Sequence, residues 1–365
     1  MRLINLRVFQ FRNLENQEIP FSAGTNLLSG ANGQGKTNLL EAVCMLGYGK
    51  SFRTASPRDC IRHGAEEGSV EGLLEHGSVM RKIQVWIGPG GKRLSVHGKP
   101  VGIEEFAGNF HVVIFAQDHL KIVRAGPGER RSFLDRAMIT SFPGHLRHLA
   151  SYSRALKQRN RILTEARNGG VADEALLSSW EETLVREGSR ILANRIRYVG
   201  EMKSRLPRDL FGAEVLSIAY SSSVGGATSD WQSIEGEFKG ALFRARPLDR
   251  RLGTTSVGPH RDDLVLLLDG KPIDSFGSAG QQRSCLLSLY FTQMEIHRET
   301  HGFYPVFLID DFEAELDDRR LKTFLEYLAR RTQVVLTTAK SAFVPLLPGE
   351  VTRYEVANGK ALLSA

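Results

Sequence analysis

The chain has 365 residues, of which 41% are hydrophobic and 24% are charged, and its formal net charge is +7 at pH 7. A chain of this length exceeds what one hydrophobic core holds, so we expect two or three domains. The mean hydropathy of −0.22, with no apolar run near the length of a membrane helix, excludes a membrane span.

The sequence favours a cytoplasmic location. Arg7 and Arg12 fall where a secretory signal peptide needs apolar residues. The three cysteines, Cys44, Cys60 and Cys285, are far apart and form no C-x-x-C pair. This pattern argues against a disulfide framework or a cysteine zinc site and indicates a reducing compartment.

Residues 1–120 alternate between strand and helix patterns and are expected to form the N-terminal part of an α/β head. The predicted elements are an opening strand from Leu3, a strand in 21–29, a helix over 37–46, alternating strands in 68–100 and a buried strand at 111–115. A glycine-rich turn separates the second strand from the helix. Strand patterns return within 213–365, the expected C-terminal part of the head, at 215–220, 264–268, 306–309 and 334–337.

Residues 121–212 have a helical period and are expected to form an inserted arm. Leucines at helical spacing on either side of the turn at 168–170 predict a hairpin of two antiparallel helices. Between residues 121 and 208 there are 18 Lys+Arg against 9 Asp+Glu, so this segment carries the whole positive excess. The predicted DNA contacts are Arg154, Lys157, Arg159 and Arg161, which have only Glu165 nearby. Such cations would bind phosphates without reading sequence, although basic helices are often merely solvated.

Residues 30–37 match the phosphate-loop pattern G-x-x-x-x-G-K-[ST] between a predicted strand and a predicted helix. The predicted nucleotide-binding residues are Gly30, Ala31, Asn32, Gly33, Gln34, Gly35, Lys36 and Thr37. Backbone N–H groups of such a loop surround the β-phosphate, the lysine reaches the β- and γ-phosphates, and the threonine hydroxyl ligates Mg²⁺.

A second motif supplies carboxylates. The apolar run 306–309 ends in Asp310 and Asp311. A strand that delivers Asp310 at its carboxyl end can bind Mg²⁺, and Asp311 is then the candidate catalytic group that orients or deprotonates the attacking water.

Two further segments resemble ABC-type ATPases. The stretch after Asp311 ends in Leu316 and Asp317, as in the D-loop of that class. Ser278, Ala279, Gly280 and Gln281 resemble its Ser-Gly-Gly-Gln signature, with alanine for the first glycine. In that class the signature closes on the ATP held by the other subunit. Taken alone, the same four residues could simply cap a helix.

The chain as a whole resembles the RecF family, whose heads are similar to those of SMC proteins. Residues 11–14, 30–38 and 40–42 resemble SMC heads. The fuller resemblance to the RecF family is carried by residues 50–54, 126–127, 130–135, 156–160, 258–264, 309–312 and 315–317, which run through most of the chain in order. It implies a P-loop ABC/SMC-head-type ATPase of α/β class with a helical-hairpin arm. It also implies an ATP-gated homodimer that uses ATP and Mg²⁺, binds single- and double-stranded DNA or their junctions, and hydrolyses ATP slowly when DNA is present. The implied partners are RecR and, indirectly, RecO and RecA in recombinational repair. Arg53 stands where SMC-like heads carry an arginine that can approach the phosphates.

Some positions depart from these patterns. Gln117 occupies the Q-loop position, where the family usually has proline, and Thr338 stands where ABC proteins carry a switch histidine. His260 more naturally orders a turn than performs catalysis, and the other nine histidines show no metal-ligand spacing. Two alternatives remain at this point: a structural DNA scaffold that binds ATP without useful turnover, and the ATPase subunit of a membrane transporter.

Overall fold

The computed structural model describes residues 1–142, 144–171, 173–207, 214–225, 228–311, 318–340, 345 and 347–364. They form two compact units, Met1–Leu120 with His297–Ala365, and Lys121–Ile296. Among the helices within these ranges, none combines the length and hydropathy needed to cross a membrane.

The strands, in chain order, are β1 (Arg2–Phe9), β2 (Gln17–Pro20), β3 (Thr25–Ser29), β4 (Gly68–His76), β5 (Val79–Gly88), β6 (Gly91–Val96), β7 (Lys99–Pro100), β8 (Val112–Phe115), β9 (Leu216–Ser221), β10 (Asp263–Leu268), β11 (Lys271–Pro272), β12 (Val306–Ile309), β13 (Val334–Thr338), β14 (Val351–Ala357) and β15 (Lys360–Leu363). The α-helices are α1 (Lys36–Tyr48), α2 (Ile103–Ala107), α3 (Lys121–Arg124), α4 (Pro127–Met138), α5 (His145–Arg167), α6 (Glu174–Arg205), α7 (Trp231–Leu252), α8 (Ile273–Phe276), α9 (Ala279–His301) and α10 (Asp318–Ala329).

The first unit contains two six-stranded sheets. One has the order β15-β14-β3-β13-β12-β8, in which every pairing except β14 with β15 is parallel. All four residues of β8 and of β12 are buried, as expected for apolar strands covered on both faces. The other sheet, β2-β1-β4-β5-β6-β7, is antiparallel, and burial in β4 alternates along the strand. Helix α1 contributes an almost wholly buried apolar run to this unit.

In the second unit, which also contains most of α9, the long helices α5, α6 and α7 pack against one another. The predicted hairpin is present as α5 and α6, but α7 packs on both of them, with Ile234 and Phe238 in the same core as Tyr152 and Leu184. An antiparallel sheet, β11-β10-β9, completes the unit.

The predicted domain boundaries can be compared with the limits of these two units. The boundary after residue 120 coincides with the end of the first segment. The second unit, however, continues past residue 212 to Ile296, so the predicted arm is one part of a larger unit and its end at 212 stays a prediction. Helix α7 and strands β9 to β11 lie with the arm helices because α7 buries its apolar face against them.

Candidate nucleotide site

The glycine-rich loop runs from the end of β3 into the first turn of α1. Gly30 has a φ of 153°, and a Cβ there would lie 2.2 Å from the carbonyl oxygen of Val356, so only glycine fits. Lys36 is 5% exposed, and its Nζ donates hydrogen bonds to the backbone oxygens of Gly30 at 2.8 Å and Ala31 at 3.0 Å. The loop therefore curls around a buried ammonium group at a helix N-terminus, an arrangement that suits an anionic phosphate.

Asp310 lies directly after β12 and contacts the loop threonine. Strands β3 and β12 flank β13 in the parallel sheet, so their carboxyl ends share one edge. Oδ1 of Asp310 accepts hydrogen bonds from the hydroxyls of Thr37 and Thr337, each at 2.9 Å. Burial raises the pKa of Asp310, although the two hydroxyls act in the opposite direction. The structure thus brings together the two residues predicted to ligate Mg²⁺.

Asp311 turns the chain sharply at the end of the same strand. Its φ of 44° lies in the left-handed region, which is uncommon for residues other than glycine. Its backbone N–H donates to the Thr337 hydroxyl at 2.9 Å, which fixes the turn. The side chain is half-buried and next in sequence to Asp310. Asp317, the predicted D-loop residue, lies outside the described residues.

A chain of hydrogen bonds links Arg53 to the glycine-rich loop. Nη1 of Arg53 donates to Oδ1 of Asn38 at 2.6 Å, and Nδ2 of Asn38 donates to Oδ1 of Asn13 at 2.6 Å. Nδ2 of Asn13 then donates to the carbonyl oxygen of Gly33 at 3.1 Å. The Arg53 side chain is 44% exposed, so it is both tethered near the loop and accessible to a ligand.

Glu41 is a component of this site that the sequence reasoning missed. Its side chain is fully buried on α1, and its two oxygens accept from Nη2 of Arg12 at 2.6 Å and Nε of Arg12 at 2.9 Å. Nη1 of Arg53 lies 3.5 Å from the same carboxylate, and the Ser51 hydroxyl also donates to it. An acidic residue within the otherwise apolar run 39–46 was the available signal.

The structure describes the side chain of Thr338 but not that of Gln117. Thr338 is the last residue of β13, opposite Ser29 of β3, and its hydroxyl accepts from the backbone N–H of Lys340 at 3.0 Å. It therefore ends the strand that lies between the phosphate loop and Asp310. The side chain of Gln117 lies outside the described residues, so its predicted Q-loop role stays a prediction.

The signature-like residues lie in the second unit at the start of α9. Gln281 N–H donates to the Ser278 hydroxyl at 3.3 Å, while Ser278 N–H donates to Oε1 of Gln281 at 2.6 Å. This reciprocal pair is a capping box, so the capping interpretation holds. Ser278 and Ala279 are nevertheless exposed, as is Phe276 at 71%, so the cap is also presented to solvent.

The structure corrects one predicted DNA contact on the arm. Arg154, Lys157 and Arg161 are exposed on α5, with Arg161 paired to Glu165 at 2.9 Å. Arg159 is fully buried and cannot contact DNA, because α6 and α7 cover it and supply its carboxylate partners. The sequence showed only the charge excess and not which side of α5 faces inward.

Fold and site residues together define a P-loop ATPase head of the SMC type. The family model described as RecF/RecN/SMC N terminal domain matches residues 2–357. A protein of Geotalea uraniireducens (strain Rf4) named DNA replication and repair protein RecF is 34% identical over 369 residues, covering 99% of this chain and 100% of that protein. The chain belongs to the RecF family of DNA replication and repair proteins.

Solved structures agree with this assignment. One described as the recombination mediator protein RecF-ATP in RecFOR pathway has a TM-score of 0.89 and 32% identity, covering 100% of this chain and 97% of that one. An SMC head bound to the C-winged helix domain of ScpA, at 15% identity and a TM-score of 0.56, covers 100% of this chain and 97% of that one and shares the fold alone.

Proposed function

We propose that this chain is an ATP-gated DNA-binding ATPase of recombinational repair and replication-fork maintenance. It binds ATP with Mg²⁺, dimerises on the nucleotide, binds single- and double-stranded DNA or their junctions, and hydrolyses ATP slowly when DNA is bound. It acts with RecR, and indirectly with RecO, in loading RecA. The observation that carries the proposal is the 2.9 Å hydrogen bond from Thr37 to Asp310, next to the glycine-rich loop into which Lys36 donates. The relative solved as RecF-ATP supports the choice of nucleotide.

Phosphate binding rests on Lys36 and the loop backbone. In the structure, Nζ of Lys36 donates to two loop carbonyl oxygens, at 2.8 and 3.0 Å. An entering triphosphate offers that ammonium anionic acceptors, and charge-assisted hydrogen bonds are about twice as strong as neutral ones. The lysine therefore exchanges its carbonyl partners for phosphate oxygens without needing to move out of the loop.

The residues beside Lys36 fit Mg²⁺. A buried carboxylate and a hydroxyl, Asp310 and Thr37, provide the hard oxygen ligands that this ion prefers. Burial raises the pKa of Asp310, which means that the carboxylate is under-compensated by hydroxyl donors alone. Bound there, the ion would neutralise negative charge on the phosphates. Thr337 keeps the carboxylate oriented through its own 2.9 Å bond to the same oxygen.

Asp311 is the proposed general base or water-orienting group. It follows Asp310 in sequence, and its backbone is in the left-handed region, with its N–H bonded to the Thr337 hydroxyl. A carboxylate is suited to accept a proton from, or align, a water molecule that attacks a phosphate.

Dimerisation is proposed to use the exposed start of α9. The Ser278 hydroxyl and the first turn of α9 at Ala279 are exposed, and together they can bind an anion such as the phosphate of a partner's ATP. Phe276, 71% exposed two residues earlier, gives this end of the helix an apolar surface that a partner subunit can cover.

DNA binding is proposed for the exposed cations of α5. Arg154, Lys157 and Arg161 are spaced three and four residues apart, so they project from one face of the helix. The buried core residues Tyr152 and Ala155 occupy another face. A row of cations binds the phosphate backbone irrespective of base sequence.

Single-turnover ATP hydrolysis with and without DNA tests the proposal. Wild-type protein should hydrolyse ATP faster with DNA. The arm variant Arg154→Glu, Lys157→Glu, Arg161→Glu should retain basal hydrolysis but lose the stimulation. Its affinity for duplex DNA should also depend less on salt, by up to about 2.7 in log–log slope for three lost phosphate contacts.

The matched control makes the same charge change on three exposed cations of the first unit, Lys99→Glu, Lys322→Glu and Arg353→Glu. It should keep most of the DNA stimulation. If wild-type protein binds ATP but DNA never changes its turnover, the chain is instead a structural scaffold. If both variants lose DNA binding equally, net charge rather than the α5 surface is responsible.

A further inference from the structure

Three histidines from distant parts of the sequence form a buried cluster in the first unit. His111 immediately precedes β8, whereas His297 and His301 lie one turn apart at the end of α9. One ring nitrogen from each lies within 4.8 Å of the others, and Nδ1 of His111 is 2.8 Å from Nε2 of His297. The sequence-based expectation that the histidines show no metal-ligand spacing is therefore wrong. His297 and His301 have the i, i+4 spacing of helical ligands, but His111 is 186 positions away from His297.

The orientation of His297 is fixed by a backbone acceptor. Its Nδ1 lies 3.0 Å from the carbonyl oxygen of Phe303. Because a carbonyl oxygen can only accept, Nδ1 must carry the proton, and Nε2 therefore presents a lone pair towards His111. A ligand histidine whose other nitrogen donates to a backbone carbonyl is the usual second-shell arrangement of metal sites.

Burial keeps the rings of His111 and His297 neutral. Burial, followed by the neighbouring histidines, lowers the pKa of His111 to about 4 and that of His297 to about 3. The Phe303 ring packs against the cluster, with centroids 5.4 Å from His111, 5.3 Å from His297 and 5.9 Å from His301. Neutral imidazole is the form that binds a metal ion, whereas imidazolium does not.

We propose that His111, His297 and His301 bind a borderline-soft divalent transition cation such as Zn²⁺. Imidazole nitrogen favours zinc over magnesium or calcium, which require oxygen ligands. Tetrahedral Zn–N bonds of about 2.0–2.1 Å place ligand nitrogens about 3.4 Å apart. The His111–His297 pair must therefore widen slightly, while His301, the least buried of the three, rotates inward. On binding through Nδ1, His111 carries its proton on Nε2 instead, so no proton is released from the ring.

The site is separate from the nucleotide site, and a water molecule would complete its tetrahedron. Strands β8 and β12 are parallel, and His111 precedes β8, so the cluster lies at the opposite end of these strands from Asp310. The ion would link the last turn of α9 to the start of β8. Both lie in the first unit, which includes α9 from His297 onward.

Zinc titration of the metal-stripped full-length protein by calorimetry tests the site. Wild-type protein should bind one Zn²⁺ per chain, and Co²⁺ in its place should give the intense visible absorption of a tetrahedral complex. His301→Gln should weaken the affinity at least tenfold, because ligand removal costs no less than loss of a second-shell partner. His63→Gln, at an exposed histidine outside the cluster, should leave stoichiometry and affinity unchanged.

Far-UV circular dichroism of each variant checks that the fold is retained. In addition, Zn²⁺ should raise the thermal midpoint of wild-type protein and of His63→Gln but not that of folded His301→Gln. The proposal is overturned if wild-type protein binds no Zn²⁺ or lacks the tetrahedral Co²⁺ spectrum. Unchanged affinity in both His301→Gln and His297→Gln would overturn it as well.

Discussion

Arg159→Met removes the one cation of the predicted arm set that the structure buries. Nη1 of Arg159 lies 2.7 Å from Oδ2 of Asp249 and 2.9 Å from the Thr255 hydroxyl, and Nη2 lies 2.9 Å from Oε1 of Glu181. Methionine fills much of the same volume without the charge. The substitution therefore isolates the contribution of the ion pairs from that of packing.

The two carboxylates that pair with Arg159 differ in how many hydrogen bonds remain to them in Arg159→Met. Glu181 keeps bonds to Nε of Arg246 at 3.1 Å, whereas Asp249 keeps only its Oδ1 bonds to Ser256, at 2.9 and 2.6 Å. The fully buried Oδ2 of Asp249 thus becomes an uncompensated charge. Breaking a buried pair in this way lowers the free energy of unfolding by about 3–5 kcal/mol. The double variant Arg159→Met, Asp249→Asn should recover part of that loss, because it removes the unpaired charge.

Urea unfolding followed by circular dichroism measures the effect, with Lys157→Met on the exposed side of α5 as control. Lys157→Met should change the free energy of unfolding by no more than about 0.5 kcal/mol but should weaken DNA binding. At a temperature where Arg159→Met is folded, its DNA affinity should equal that of wild type. The reasoning fails if Arg159→Met is as stable as wild type, or if the folded variant loses as much DNA affinity as Lys157→Met.

Further predictions concern the nucleotide, the dimer and pH. Lys36→Ala should weaken ATP binding at least tenfold in an equilibrium titration, since a charge-assisted bond contributes about 1.5–3 kcal/mol, whereas Asp311→Asn should bind ATP normally and hydrolyse it far more slowly in single turnover. Normal ATP affinity in the first variant, or a wild-type rate in the second, would contradict these assignments. Ser278→Arg should bind ATP but remain monomeric by light scattering, because an exposed bulky cation blocks the approach of a partner subunit; an ATP-dependent dimer would refute this. Burial raises the pKa of Cys60 to about 11 and that of Cys285 to about 12, above the ordinary 9.0. The folded state thus holds these protons more tightly, so the stability that they contribute is fully present below about pH 9 and is lost as the pH rises towards 11 for Cys60 and 12 for Cys285. Cys285→Ala should flatten that fall in alkaline urea titrations, and an unchanged pH profile would count against the Cys285 contribution.

The parts of the fold that sequence could predict are those whose signals are local. The glycine-rich loop, the strand before Asp310 and the two long helices each follow from a short pattern. Strands β8 and β12 are buried on both faces, so their continuous apolar runs identify them without knowledge of their neighbours, and β13 begins with a similar run of three apolar residues. The contact between Thr37 and Asp310 follows from the same logic, because parallel strands meet at one edge.

What could not be predicted depends on distant partners. Arg159 looks like its exposed neighbours until α6 and α7 are placed over it. Helix α7 was not predicted because Pro247 and a run of charges interrupt its hydrophobic pattern. The buried residues Ile234, Phe238 and Leu242 are nevertheless spaced four residues apart, as in a helix. The histidine cluster was missed for the same reason, since His111 joins the other two only in the folded chain.

The carboxylate of Glu41 contacts two arginines, one at shorter distances than the other. Arg12 contacts both oxygens, at 2.6 and 2.9 Å, while the more exposed Arg53 remains 3.5 Å away. If Arg53 leaves, the buried anion keeps its permanent counter-ion, and the loss is that of a partly exposed ion pair, about 0–1 kcal/mol. If Arg12 is lost, no second bidentate donor replaces it. The carboxylate of Glu41 on α1 therefore holds Arg12 through two short bonds and Arg53 through one longer contact, and Arg53, the more exposed of the two, is the one linked through Asn38 to the phosphate loop.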